Sequence, residues 1–195
     1  QALQAGTTPD DCFELVERLG ERGVTAPLIL MGYYNPIHSY GLQAYAARCR
    51  QVGVDGLIVP DLPPEEAEPL KAACQAEGVA LIYLVAPNSP EARIARLAEE
   101  TSGFLYVVSR LGTTGAGQGP GDELVERLQM IRRHAQSPIA VGFGVSDPQG
   151  ARRLAPYADG VIVGSAIVQR AAEGTELVWA FVSDLSAALV RDTVN

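Results

Sequence analysis

Residues 138–168, PIAVGFGVSDPQGARRLAPYADGVIVGSAIV, contain the same pattern twice: an apolar β-branched run, a glycine turn and the start of a helix. In the first copy, residues 139–141 predict a buried strand, and the tripeptide SDP at residues 146–148 predicts a helix N-terminus with its cap and a first-turn proline. In the second copy, residues 161–163 predict a strand and a helix begins near Ala166. The stretch therefore predicts two consecutive βα units.

Both turns contain glycine, as GFG at residues 142–144 and GS at residues 164–165. Glycine lets backbone N–H groups approach a bound anion, and the N-terminus of the following helix adds partial positive charge. In eight-stranded βα barrels, the loops after strands seven and eight frequently form a phosphate site. One such turn alone is more typical of an ordinary structural turn, whereas two in tandem predict phosphate binding.

The composition indicates a globular chain with a single domain over residues 1–195, since 47% of its residues are apolar. A net charge of −8 without a basic cluster makes nucleic acid and anionic membranes unexpected partners. No apolar run approaches the ~20 residues of a membrane-spanning helix. The widely separated Cys12, Cys49 and Cys74 form neither a redox pair nor a metal site, so each is expected to be a buried apolar residue in a reducing cytoplasm.

Apolar runs predict six strands that alternate with helices, centred near Ile29, Ile58, Ile82, Leu105, Ala140 and Ile162. An eight-stranded barrel cannot close on six strands. We therefore expect an α/β chain that forms the C-terminal three quarters of a (β/α)8 TIM barrel, with the first two strands missing. The alternative is an open, six-stranded, doubly wound sheet.

Three local predictions concern the connections between these strands. Residues 32–36, GYYNP, predict a polar and aromatic loop before a single helix, and residues 63–66, PPEE, predict an acidic helix start. Residues 79–85 predict one continuous strand. Residues 109–121 form the longest and most glycine-rich connection, which predicts a mobile loop.

Five segments, taken together, resemble the α subunit of tryptophan synthase: LMGYYNPIHSYG at 30–41, GVDGLIVPDLPPEEA at 53–67, VVSRLGTTGAG at 107–117, GFGVSDP at 142–148 and VGSAIV at 163–168. The second and third segments are the most specific, because related phosphate-binding barrels share the glycine loops but not these blocks. The resemblance implies an eight-fold βα barrel that cleaves indole-3-glycerol phosphate to indole and glyceraldehyde 3-phosphate during tryptophan biosynthesis.

The same resemblance implies the partner and the location. The indole passes to a β subunit within a cytoplasmic αββα heterotetramer, or in the plastid stroma of a photosynthetic eukaryote. Pyridoxal phosphate belongs to that β subunit, and no cofactor is expected on this chain. The residues implied to contact the β subunit are Asn35, Asp61, Pro63 and Arg110. Read as residues alone, they are also explained as exposed loop and turn positions.

The resemblance implies no catalytic residue in this chain, because the family's catalytic Glu and Asp would both precede Gln1. It implies that Gly115, Gly144, Gly164 and Ser165 bind phosphate, with Phe143 between two of the turn glycines. The remaining implied substrate-site residues are Tyr106 near the glycerol, Met31 and Ile58 along the indole pocket, and Thr114 in a loop that closes over the site. Without the resemblance, core packing explains Tyr106, Met31 and Ile58 equally well.

Two other functions stay open at this point. One is an isomerase of the phosphoribosyl barrel type, which shares the tandem phosphate loops but has no reason to carry VPDLPPEE or SRLGTTGA. The other is a phosphate-binding or β-subunit-activating module without chemistry of its own.

Overall fold

The computed structural model of this chain describes residues 4, 6–109, 122–142 and 144–189. These residues fall into two compact units. The first unit comprises Gln1–Tyr83 and Glu100–Gly103, and the second comprises Leu84–Glu99 and Phe104–Asn195. The single domain expected over residues 1–195 stays a prediction.

The first unit is a three-stranded parallel sheet, in the order β1-β2-β3, with helices between its strands. Its first helix begins with a capping box, in which the Thr8 hydroxyl accepts the Asp11 N–H and the Asp11 carboxylate accepts the Thr8 N–H. In chain order the elements are α1 (Pro9–Glu21), β1 (Ile29–Met31), α2 (Tyr34–Tyr40), α3 (Leu42–Val52), β2 (Gly56–Ile58), α4 (Glu68–Glu77) and β3 (Ala80–Ile82).

The second unit is a four-stranded parallel sheet in the order β4-β5-β6-β7. Its helix α7 begins at Pro148, directly behind the predicted cap. In chain order the elements are β4 (Leu84–Val85), α5 (Glu91–Glu100), β5 (Leu105–Val108), α6 (Asp122–His134), β6 (Ile139–Gly142), α7 (Pro148–Leu154), β7 (Gly160–Ile162), α8 (Ser165–Glu173) and α9 (Thr175–Leu189).

The strand order in both described sheets follows the order of the chain. A doubly wound sheet reverses its strand order at a switch point, and neither described sheet contains such a reversal. Sequential parallel strands joined by helices are instead the arrangement of a βα barrel. The predicted parallel βα units are confirmed, and the topology argues against the doubly wound alternative.

The prediction of one strand over residues 79–85 is wrong, because the strand is interrupted at Tyr83. The Tyr83 N–H donates to the Thr101 Oγ1 at 3.1 Å. On either side of the interruption, β3 pairs with β2 and β4 pairs with β5. One predicted strand is thus two short strands, and the described residues hold seven strands where six were predicted.

Two predicted connections also differ from the structure. The prediction of a loop over residues 32–36 is wrong, because α2 begins at Tyr34, whose N–H is accepted by the Asp61 carboxylate at 2.9 and 3.2 Å. Gly41, at a φ of 95°, then separates α2 from α3, so the single predicted helix is two helices. The helix expected to begin at residues 63–66 begins at Glu68.

Two aspartates anchor the N-terminal ends of strands. Asp55, just before β2, accepts the Leu28 N–H at 2.8 Å, and its own N–H donates to the Leu28 carbonyl. Asp159, just before β7, makes the same pair of bonds with Ile139. These reciprocal bonds fix the register of neighbouring strands at the edge of the sheet opposite their carboxyl ends.

The cysteines are only partly as expected. Cys49 and Cys74 are buried, whereas Cys12 is exposed, so its predicted burial is wrong. Helix α1 buries Phe13 and Val16, and Cys12 lies outside that apolar face. All three thiols are free.

Candidate functional site

The two predicted glycine turns lie side by side in the second unit. Strand β6 ends at Gly142, which pairs in register with Ile162 at the end of β7. Because the carboxyl ends of parallel strands meet at one edge of a sheet, the turns that follow them are neighbours. Gly144, at a φ of 90°, and Gly164 are both exposed at this edge. We refer to Gly142 and Gly144, whose shared neighbour Phe143 lies outside the described residues, as the phosphate turn.

The helices that follow the two turns differ at their N-termini. At α7, the Asp147 carboxylate accepts the Gly150 N–H at 2.8 Å, so a negatively charged side chain already caps this helix. At α8, the cap residue is Gly164 and no side chain caps the helix. The first-turn amides of a helix have no partner within the helix itself. Of the two helices, only α8 therefore begins without a side-chain cap, and phosphate binding at the two turns stays a prediction.

Tyr106 lies against the phosphate turn rather than only within the core. It is on β5 and is 4% exposed. A β-carbon on Gly142 would lie 2.5 Å from the Tyr106 hydroxyl oxygen and 2.7 Å from Cε2, so only glycine fits beside the ring. Burial raises the pKa of Tyr106, which keeps its hydroxyl protonated at neutral pH.

Ser109 is a residue that the sequence analysis did not single out. It directly follows β5 and is 2% exposed. Its N–H donates to the Gly142 carbonyl at 2.8 Å, and its Oγ donates to the same oxygen at 3.1 Å. The signal was available, because a serine at the end of a buried apolar strand needs a polar partner.

The predicted indole-pocket residues are neighbours in the first unit. Met31 and Ile58 are paired in register at the ends of β1 and β2. The Met31 side chain is 52% exposed, and that of Ile58 is 6% exposed. The Gly32 N–H donates to the Ile58 carbonyl at 3.1 Å and continues the pairing past the strand ends. Their role as pocket lining stays a prediction.

Three of the predicted partner-contact residues also belong to the first unit. Asp61 and Asn35 are exposed, and Pro63 is partly exposed. Asp61 accepts the N–H of Tyr34, the first residue of α2, and Asn35 is the second residue of that helix. The structure therefore brings Asp61 close to the start of the helix that carries Asn35. It also gives Asp61 a structural role that the sequence did not predict.

Four predicted site residues, Arg110, Thr114, Gly115 and Phe143, lie outside the described residues. Within the described ranges, no group of three His, Cys, Asp or Glu side chains could hold a metal ion. No helix of the described chain is long and apolar enough to span a membrane. A cavity of about 240 Å³ lies at the start of β7, beside Asp159 and Gly160, at the opposite end of that strand from the candidate site.

A family model described as "Tryptophan synthase alpha chain" matches residues 1–189. The chain belongs to the tryptophan synthase alpha chain family. The match covers almost all of the sequence, including both predicted phosphate turns and the segments over residues 30–41 and 53–67.

Curated members of the tryptophan synthase alpha chain family are close relatives in sequence. The chain is 45% identical to the tryptophan synthase alpha chain of Opitutus terrae over 168 residues, which are 86% of this chain and 63% of that protein. It is 45% identical to that of Geotalea uraniireducens over 194 residues, which are 97% of this chain and 72% of that protein. The chain thus spans about two thirds to three quarters of these relatives' lengths.

A solved tryptophan synthase supports the same fold. The crystal structure of tryptophan synthase from M. tuberculosis, an open form with BRD0059 bound, matches 96% of this chain and 71% of its own chain. The TM-score is 0.86 at 34% sequence identity. The predicted α/β barrel class and the predicted membership of the tryptophan synthase alpha chain family are confirmed.

Proposed function

We propose that this chain provides the phosphate-binding part of the alpha reaction of tryptophan synthase, the retro-aldol cleavage of indole-3-glycerol phosphate to indole and glyceraldehyde 3-phosphate. One observation carries the proposal: the uncapped N-terminus of α8, at Gly164 and Ser165, lies beside the phosphate turn in a chain of this family. With a net charge of −8, the protein would hold a phosphate through backbone N–H groups and hydroxyls.

The proposed cleavage makes three chemical demands. C3 of the indole must be protonated, the positive charge that develops near the indole nitrogen must be stabilised, and a glycerol hydroxyl must lose its proton. The family resemblance gives these tasks to a Glu and an Asp that match no residue of this chain. We do not give these tasks to Asp61, because the resemblance places it at the face toward the β subunit. We therefore propose that the 195 residues by themselves bind the substrate without cleaving it.

Binding of indole-propanol phosphate, a non-cleavable analogue, tests the phosphate site. Isothermal titration calorimetry on the chain should show binding, and Ser165→Glu should weaken it at least about tenfold, because a carboxylate would sit at the proposed phosphate position. The matched control is Gln169→Glu, which adds the same charge to an exposed position one turn further along α8. Equal affinity for both variants would contradict the proposed site.

A second titration separates the proposal from its alternatives. A phosphoribosyl aminoimidazole should not compete with indole-propanol phosphate for the site. Competition by that compound would instead support an isomerase of the phosphoribosyl barrel type. Stimulation of a tryptophan synthase β subunit by the chain, without any cleavage of indole-3-glycerol phosphate, would support the non-catalytic module.

We also propose that a tryptophan synthase β subunit, which would carry the pyridoxal phosphate, docks on the surface formed by Asn35, Asp61 and Pro63. All three lie beyond the C-terminal ends of β1 and β2, and the first two are exposed. Asn35→Ala should weaken co-sedimentation with a β subunit, whereas Ser39→Ala, an exposed position later in α2, should not. Three free cysteines fit the reducing cytoplasm proposed for this assembly.

A further inference from the structure

Ser109 holds the residue from which the phosphate turn begins. We propose that it is a positioning residue for this turn, an inference that rests on the proposed function. Both the N–H and the Oγ of Ser109 donate to the Gly142 carbonyl, at 2.8 and 3.1 Å. The side chain is almost completely buried, so water competes little for these bonds.

Gly142 needs such a restraint because of its own chemistry. Glycine has no β-carbon and adopts more backbone conformations than other residues. A residue with a β-carbon would have a more restricted backbone, but the Tyr106 ring occupies the space that a β-carbon at position 142 would need. The two donors restrain the direction of the Gly142 carbonyl. Gly144 is exposed at the edge of the sheet where β6 and β7 end, and it lies two residues after this restrained carbonyl.

The Ser109 hydroxyl adds a hydrogen bond that the pairing of β5 with β6 does not need. The Ser109 N–H alone continues the β5–β6 pairing beyond Val108 and Gly142. Placing a hydroxyl in an almost fully buried position costs free energy unless it is hydrogen-bonded, and an alanine there would avoid that cost. A second donor on the Gly142 oxygen is what the serine adds. Restraining a binding turn before the ligand arrives raises affinity because less conformational freedom is lost on binding.

The first unit contains a control for this arrangement. The Ser102 N–H donates to the Leu81 carbonyl at 3.0 Å, and the Ser102 Oγ donates to the same oxygen at 3.3 Å. Ser102 is exposed and its Oγ also accepts the Leu81 N–H at 2.7 Å, but Leu81 is within β3 and begins no glycine turn. Removing the Ser102 hydroxyl should affect stability without affecting the phosphate turn.

The experiment compares Ser109→Ala, Ser109→Thr and Ser102→Ala with the unaltered chain. The first measurement is amide hydrogen exchange without ligand at position 109, whose N–H donates to the Gly142 carbonyl, and at Val168, whose N–H donates to the Gly164 carbonyl. After correction for intrinsic rates, we expect Ser109→Ala to speed exchange at position 109 by about three- to tenfold, the value of one hydrogen bond, and to leave Val168 unchanged. The alanine variant keeps the backbone bond to Gly142, so it should fold. Ser109→Thr, which keeps the hydroxyl, should restore slow exchange.

The second measurement is the affinity for indole-propanol phosphate by calorimetry. Ser109→Ala should weaken binding by about three- to tenfold, and Ser102→Ala should leave it unchanged. Unchanged exchange at position 109 in Ser109→Ala, or an equal loss of affinity in Ser102→Ala, would overturn the positioning role. Failure of the unaltered chain to bind the analogue would refute the proposed function, and the exchange at position 109 would still decide whether the Ser109 hydroxyl restrains Gly142.

Discussion

Gly142 packs so closely against Tyr106 that any side chain at this position would force the ring to shift: a β-carbon at Gly142 would lie 2.5 Å from the tyrosine hydroxyl oxygen. The two residues come from neighbouring strands, β6 and β5. Gly142 also begins the phosphate turn. Packing of the core and geometry of the candidate site are therefore coupled at a single contact.

Gly142→Ala should lower the free energy of unfolding by about 1–3 kcal/mol, because the new methyl group overpacks the space beside the Tyr106 ring. Urea unfolding followed by circular dichroism measures the change. Gly160→Ala is the control, since its β-carbon would meet only the Ala140 β-carbon at an ordinary 3.7 Å. The cost of Gly142→Ala should shrink in a Tyr106→Ala background. An equal cost in both backgrounds would place the conflict at Ile162, whose β-carbon is 2.9 Å away.

Asp55→Ala should destabilise the chain by about 1–2 kcal/mol, because the Leu28 N–H loses a charged acceptor at the start of β1. Asp55→Asn should cost less, since it keeps an acceptor oxygen. Asp184→Ala removes an exposed carboxylate from α9 and should change the stability little. Chemical denaturation of the three variants tests the role, and a cost for Asp55→Ala no larger than that for Asp184→Ala would refute it.

The capping box of α1 should make stability depend on pH. Hydrogen bonds from the Thr8 backbone and then from its hydroxyl lower the pKa of Asp11 below the usual value of 3.8. A lowered carboxyl pKa stabilises the fold above the unfolded-state pKa, and this contribution disappears as the pH falls through the folded-state pKa. The stability difference between the wild type and Asp11→Asn should therefore be full at pH 7 and shrink as the pH falls below 3.8 and through the lowered pKa of Asp11. A stability difference that does not change between neutral and acidic pH would contradict this role of Asp11.

The three thiols should react in a fixed order. Burial raises the pKa of Cys49 to about 12 and that of Cys74 to about 11, and the exposed Cys12 should react first. Iodoacetamide at pH 8, followed by peptide mass spectrometry, should find Cys12 labelled in the folded chain and the other two only after denaturation. Labelling of Cys74 at the rate of Cys12 would show that α4 opens readily.

The sequence of this chain determined the features that depend on local chemistry. The apolar runs and glycine turns over residues 138–168 were enough to predict β6, β7 and the helices after them, because a cap, a turn and an apolar period act within a few residues. Five segments, of which those over residues 53–67 and 107–117 are the most specific, were enough to predict the family, which the comparisons confirm.

The tertiary structure alone decided features that depend on hydrogen bonds between residues far apart in the sequence. The Tyr83 N–H takes Thr101 as its partner and interrupts a strand that looks continuous in the sequence. The Asp61 carboxylate starts α2 from 27 residues away. The two bonds from Ser109 to Gly142 likewise appear only once the strands are paired. No local pattern encodes such choices, because the free energy of a hydrogen bond depends on which partner the fold brings within reach.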